Sequence, residues 1–437
     1  MTRQVRGGGT REDRGGTLGA VKQQAGSTRG VEGRGGEGPA INIERRVRRH
    51  VHAPVHGWFA ACSPGLEELL AEEVRAIGGQ AVTAAPGGVE FRGRLETGYA
   101  ANLHLRTASR VWLRVASFAA RAPEDVFREA REVPWEALLA TEVPVLLEAT
   151  TARSRLFGGG MLGRPLRDAI RRRFRDMGMT APGLDGSDRE PLQRLLAWLE
   201  ANHLDLSLDS SGDLLHLRGH RLEHGGAPLR ETLAAGILLA AGYDGTGALV
   251  DPMCGSGTFG VEAAAIARRL PPGRDREFLF LRWPSARTAA FRQMRARSLH
   301  ASLSHAPAPI VCRDADGAVL EVARRHVERA GVPDDVTLCT ADFLREGPPD
   351  VAPGWVVMNP PYGLRLEAGR DAVHAFGAIG RRLARSWRGW EFAIVAPSAE
   401  AADALSLPIR RRLRLFHGGL HAVVVLGRVG PGPSSLR

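Results

Sequence analysis

The stretch ALVDPMCGSGTFG, residues 248–260, decides the fold. Ala248 to Asp251 is a short apolar run closing on an acid, which reads as a buried strand. Pro252, Met253 and Cys254 lead into Gly255-Ser256-Gly257-Thr258-Phe259-Gly260, which matches G-x-G-x-x-G and opens a helix. Strand, glycine loop and helix in that order form the first unit of a doubly wound parallel sheet. From Pro228 the rhythm of helix and strand continues, with further strands expected at 310–314, 336–339, 354–358 and 391–396.

A lone G-x-G-x-x-G is weak evidence, and its obvious reading is a dinucleotide site. Electrostatics decides against that reading. A pyrophosphate would sit on the helix N-terminus, where Asp251 would repel it. S-adenosylmethionine brings an ammonium and a sulfonium instead, and Asp251 suits both. The acid that binds a ribose in NAD sites is expected ~20 residues on, whereas here the next strand ends much later, at Asp314. Asp314 suits the diol of a ribose, and Asp342, with Phe343 against the ring, suits an adenine amino group. The expected cofactor site is therefore Asp251, Met253, Cys254, Gly255, Ser256, Gly257, Asp314, Asp342 and Phe343, and the expected cofactor is S-adenosylmethionine.

The strand expected at 354–358 delivers Asn359-Pro360-Pro361-Tyr362-Gly363 to the same sheet edge. An exocyclic amine on an aromatic base delocalises its lone pair into the ring and is a poor nucleophile. The Asn359 side-chain oxygen and the Pro360 carbonyl can accept its two N–H groups and favour the pyramidal nitrogen, while Pro360 and Pro361 stiffen the loop. Tyr362 offers a face for a flipped base. In-line transfer then needs positioning more than a strong general base.

Composition narrows the alternatives. Lys22 is the only lysine, so a P-loop lysine, a Schiff-base lysine and a lysine general base are all excluded from the body of the chain. Cys62, Cys254, Cys312 and Cys339 are too widely spaced for C-x-x-C pairs, which argues against zinc and against a disulfide framework. They read as small buried hydrophobes rather than nucleophiles for pyrimidine C5 chemistry. The longest apolar stretch, Leu233 to Gly242, is too short to span a membrane, and no apolar signal region opens the chain, so a cytoplasmic protein is expected. Of the net charge of +11, residues 1–56 supply +6, which leaves the body mildly basic and compatible with RNA.

Residues 1–40 contain twelve glycines and almost no apolar periodicity, so residues 1–56 are expected to be a disordered Gly/Arg-rich tail. No methionine follows Met1 until Met161, which leaves Val47, Val51 or Val55 as alternative starts. Order is expected from Trp58, with a strand to Cys62, a helix capped by Ser63 with Pro64 at its first position, and strands at 89–91, 111–115 and 143–148. Helices are expected near 98–107, 123–140 and 164–177. This α+β half is expected to close on a pair of strands, 204–208 and 214–217, before Gly225 and Gly226 mark a boundary.

DPMCGSGTFGVEAA (251–264) together with VVMNPPYG (356–363) resembles the class I RNA methyltransferases of the ribosomal large-subunit K/L family. FAACSPGLEELLAEEV, GYAANLHLRTASRVWLR, LDLSLDSSGDLLHLRGHR and APLRETLAA resemble that family's N-terminal segments and linker helix. The resemblance covers residues 57–427. It implies a ferredoxin-like segment at 57–100, a THUMP RNA-binding domain at 101–226 and a Rossmann-like class I methyltransferase domain at 227–437. It further implies N2-methylation of guanosine in 23S rRNA or, in close relatives, in tRNA. The chain matches only the first half of the fused two-activity K/L proteins. Arg313 stands where the family usually has a small residue, and His326 where relatives tend to have Asn.

The Asn-Pro-Pro-Tyr loop also serves N6-adenine methylation and methylation of a glutamine amide, because both targets are planar NH2 groups. A non-catalytic RNA-binding assembly factor is the alternative from a different class. It would have no reason to keep the acids and the loop together.

Overall fold

In the computed structural model, residues 43–186, 192–220, 229–361, 370–417 and 420–430 are described. Two seven-stranded sheets organise them. The first contains β1 (His56–Cys62), β2 (Gln80–Ala85), β3 (Gly88–Gly93), β4 (Ala108–Ala119), β5 (Val145–Ala152), β6 (Gln193–Glu200) and β7 (His203–Asp209) in the order β2-β3-β1-β4-β7-β6-β5. Its neighbours are antiparallel except β5 and β6, which are parallel. The second contains β8 (Leu249–Asp251), β9 (Ile310–Asp314), β10 (Val336–Thr340), β11 (Trp355–Met358), β12 (Glu391–Ala396), β13 (Ile409–His417) and β14 (Leu420–Arg428) in the order β10-β9-β8-β11-β12-β14-β13.

Strands β8 to β12 are parallel, and β14 and β13 add an antiparallel pair at one edge. Helices cover both faces of a parallel sheet, so its strands bury both sides and read as continuous apolar runs. All three residues of β8 are buried, as are five of the six in β12. In β1, by contrast, Trp58, Ala60 and Cys62 face the core and the alternate residues do not. The chain leaves β8 to build β9 and β10 on one side, then crosses to build β11 and β12 on the other. Such a switch point opens a ligand crevice at the C-terminal strand ends.

The five expected parallel strands are present with ends shifted by at most one residue. Elsewhere the structure corrects the reading. The partner of β7 is β6, and Leu214 to Leu217 is not a strand. Arg276 takes the carbonyls of Asp213 and Leu214 at 2.7 and 2.6 Å, together with that of Leu217, so a guanidinium replaces the ladder. The first long helix begins at Glu67, not Pro64, and Ser63 does not cap it. The helix expected over 123–140 is two, Pro123–Glu132 and Trp135–Leu138, interrupted at Val133-Pro134.

The boundary at 100/101 falls inside the helix Leu95–His104, and β4 joins β1 to β7, so the two N-terminal segments share one sheet. Gly225 and Gly226 lie outside the described residues. Residues 43–56, expected to belong to the tail, are instead folded onto the body. Ile43–Val47 is helical and Arg48–His52 continues it as a π-helical turn. Val47 and Val51 are buried in the core, Arg46 Nε donates to Glu136 at 3.0 Å, and His52 Nε2 lies 2.8 Å from the Ser285 carbonyl. Two apolar side chains and two polar anchors outweigh the weak periodicity of so short a segment. Residues 1–42 lie outside the described residues.

Candidate active site

Asp251 ends β8 at the centre of the parallel sheet and is 1% exposed. Burial pushes its pKa well above the usual carboxylate range and the nearby Asp314 charge adds to that, while the Met253 N–H, 3.2 Å from Oδ1, opposes it. The neighbouring strand β9 ends on Asp314. One Asp314 oxygen accepts the Gly255 N–H at 2.9 Å and the other the Asp316 N–H at 3.1 Å, so this carboxylate holds the glycine loop as well as its own turn. Cys254 N–H bonds to the Arg313 carbonyl at 2.9 Å, which ties the loop to β9.

The glycines have separate causes. Gly255 and Gly257 have φ of +53° and +81°, a region where a side chain is strained. A Cβ on Gly260 would collide with Cys312 Sγ, so the helix Thr258–Ala267 lies hard against β9. Cys254 and Cys312 are buried. The Cys312 thiol and desolvation drive the Cys254 pKa far upward, which keeps it a protonated packing group.

Strand β10 brings Asp342 to the same edge. Its carboxylate accepts the Leu344 N–H at 2.9 Å and lies 3.2 Å from Arg345, while Ala341 N–H reaches the Asp314 carbonyl at 3.0 Å. Phe343 departs from expectation. It is 4% exposed and packs against Trp387 with ring centroids 6.0 Å apart, which makes it a core residue rather than an open adenine face. The physical reason is the apolar cluster beneath it, including Phe376, Trp387 and Trp390.

Strand β11 lies between β8 and β12, with Val356 opposite Val250, and therefore delivers Asn359 to the edge that carries Asp251. The Asn359 side-chain oxygen is buried and has no hydrogen-bond partner among the described residues. A buried acceptor left unmade costs free energy, so such a group marks a place where a ligand donor fits. Pro360 is buried and Pro361 exposed. Tyr362 lies outside the described residues.

Three side chains that the sequence reading left out of the site support its loops. His326 Nδ1 is 3.1 Å from the Ser256 carbonyl, inside the glycine loop. Arg313 Nη1 donates to the Gly347 carbonyl at 2.9 Å, so its bulk points to the loop after Asp342. Arg382 Nε donates to the carbonyls of Phe343 and Glu346 at 3.1 and 3.2 Å. The oddity of Arg313 and His326 against the family pattern was the available signal. Arg382 carried none.

Residues 218–424 match the family described as "RMKL-like, methyltransferase domain", and residues 58–116 match the "RlmL ferredoxin-like domain". The chain carries an RMKL-like methyltransferase domain together with an RlmL-type ferredoxin-like domain. A ribosomal RNA large subunit methyltransferase K/L of Marinobacter nauticus is 34% identical over 391 residues, covering 86% of this chain and 53% of the relative. The chain thus spans about half the length of the curated relatives it matches. Among solved structures, SMU.472 complexed with SAH has 26% identity and a TM-score of 0.76, covering 86% of this chain and 98% of that one. A "predicted N6-adenine-specific DNA methylase" from Listeria monocytogenes has 26% identity and a TM-score of 0.77, covering 87% and 97%. The RMKL-like match begins at the linker ahead of β8, and the ferredoxin-like match takes in β1 to β4. A ferredoxin-like segment and a methyltransferase segment of this kind therefore both have counterparts here.

Proposed function

We propose that the chain transfers a methyl group from S-adenosylmethionine to an exocyclic base nitrogen of RNA, guanine N2 of 23S rRNA. The observation that carries this reading is the unpartnered, buried Asn359 oxygen at the edge shared with Asp251 and Asp314. The names of the relatives support it: one is a ribosomal RNA large subunit methyltransferase, and another is a predicted DNA methylase specific for the adenine N6, a planar amine.

The residues present fit the cofactor. Asp251 is buried among the described residues without a cation beside it, and left-handed Gly255 and Gly257 keep the loop free of side chains. When bound, S-adenosylmethionine supplies an electrophilic methyl group on a sulfonium. Asp251 would hold the positive end of the cofactor, Asp314 would accept from its ribose, and Asp342 would accept from its adenine. Asn359 accepts one hydrogen of the target amine and the Pro360 carbonyl the other, which orients the nitrogen lone pair. Tyr362 stacks on the flipped base.

Single-turnover transfer from labelled cofactor to rRNA and tRNA stripped from a deletion strain, followed by nucleoside analysis, tests the proposal. Label in N2-methylguanosine of rRNA is expected. Label in N6-methyladenosine would reassign the base, and label confined to tRNA would reassign the substrate.

A further inference from the structure

The loop from β5 into the helix Gly159–Asp176 presents an aromatic ring that the fold does not use. Leu156 is buried at 2% exposure, but Phe157 beside it is 72% exposed, and Met161 and Trp198 are each 42% exposed. The loop is built to hold this position. Arg155 N–H donates to Asn202 Oδ1 at 2.8 Å, Asn202 N–H to Ser154 Oγ at 3.0 Å, and Ser154 Oγ to the Ala152 carbonyl at 2.8 Å. Arg153 and Asn202 adopt positive φ to allow it. Arg153 pairs with Glu200, whose other oxygen accepts the Trp198 indole N–H at 3.3 Å, so Trp198 belongs to the same surface.

Charge tells what this surface fits. Along the exposed face of the helix run Met161, Arg164, Arg171, Arg172 and Arg175. Asp168 and Asp176 pair with Arg171 and Arg172, but Arg155, Arg164 and Arg175 have no acidic partner among the described residues. An exposed ring among uncompensated guanidiniums matches a polyanion that also carries flat apolar faces, which is unpaired RNA. We propose that Phe157 is a stacking platform for an unpaired base of the RNA, with Arg155 and Arg164 on the flanking phosphates. The proposal rests on the RNA reading above and adds the position where single-stranded RNA is held.

The test is binding of the full chain to a labelled single-stranded RNA of mixed sequence and to a blunt RNA duplex of equal length. Phe157→Ala should weaken single-strand binding by about 5- to 150-fold, the range of one stacked base. Phe157→Trp should restore it, with duplex binding, thermal midpoint and cofactor affinity unmoved. Arg155→Ala with Arg164→Ala should flatten the salt dependence for both RNAs. Phe157→Ala bound like the parent, or Trp no better than Ala, would overturn the proposal while leaving the RNA reading standing. A parent that binds neither RNA would instead bring down the RNA reading itself.

Discussion

Arg218 Nε lies 3.3 Å from the Glu262 carboxylate, with the two side chains 4% and 3% exposed. Arg218 also donates to the carbonyls of Leu215 and Arg106, both at 2.7 Å, and Arg106 in turn reaches the carbonyls of Ala265 and Leu270 at 3.1 and 2.7 Å. Glu262 and Ala265 belong to the helix that begins at the glycine loop. The N-terminal half therefore grips both the middle and the end of the helix that presents the cofactor loop. Breaking one partner of a buried pair costs about 3–5 kcal/mol, because the other charge is stranded. Arg218→Met should lower the thermal midpoint sharply in calorimetry. Adding Glu262→Leu should recover part of the loss, and a double variant less stable than Arg218→Met alone would contradict the account.

Asn359→Ala should reduce kcat by ~10² or more, because the amine loses one acceptor and its lone pair is no longer oriented. Cofactor affinity should stay nearly unchanged. Tyr362→Phe should be mild and Tyr362→Ala should lose ~1–3 kcal/mol of stacking. Single-turnover rates with calorimetric cofactor binding separate these effects. An Asn359→Ala enzyme as fast as the parent would refute the role.

Asp314→Ala should weaken S-adenosylmethionine by ~1–3 kcal/mol through loss of a charge-assisted contact. Because Asp314 also holds the N–H groups of Gly255 and Asp316, the glycine loop should exchange its amide hydrogens faster even without cofactor. Hydrogen-exchange protection at residues 253–257 checks this, and unchanged protection would assign Asp314 to the ligand alone.

The raised pKa of Asp251 makes a signed prediction. The folded chain holds this proton at a pH where the unfolded chain has released it. The free protein should therefore lose stability as pH rises from the ordinary aspartate pKa to the raised folded value, then level off. Asp251→Asn should flatten that part of the profile and abolish cofactor binding. Thermal midpoints of both proteins across pH provide the measurement, and parallel profiles would contradict the assignment.

A chain beginning at Gly57 should melt several degrees lower than one beginning at Asn42. Each fully buried valine contributes about 1.5–3 kcal/mol, and truncation removes Val47 and Val51 as well as the Arg46 and His52 contacts. Equal midpoints for the two chains would show that residues 43–56 add nothing to the body.

The parallel strands were legible because burial on both faces leaves continuous apolar runs, and because four of the five deliver an acid or Asn359 to one edge. The edge pair was not. In β13 the sequence IRRRLRLFH has a bulge between Ile409 and Arg411 that breaks its alternation. Strand β6 hid for another reason: Leu192, Leu195, Leu196 and Leu199 fall at helical spacing although the segment is extended. In the candidate site, Asp251, Asp314 and Asn359 stand as the strand ends promised, because strand termini dictate their placement. Phe343 was misjudged because its surroundings, Phe376 on the helix Arg370–Ser386 and Trp387 just past its end, come later in the chain.

The continuous N-terminal sheet limits how recognition can be exchanged between relatives. Because β4 is bonded to β1 on one side and to β7 on the other, a chimaera joined near residue 100 would leave each parent's half-sheet with a foreign edge to match. Substrate preference should therefore travel between homologues only as one block from Ile43, which already packs on the core, through Arg218. Recombination within that block should yield aggregation rather than a new target.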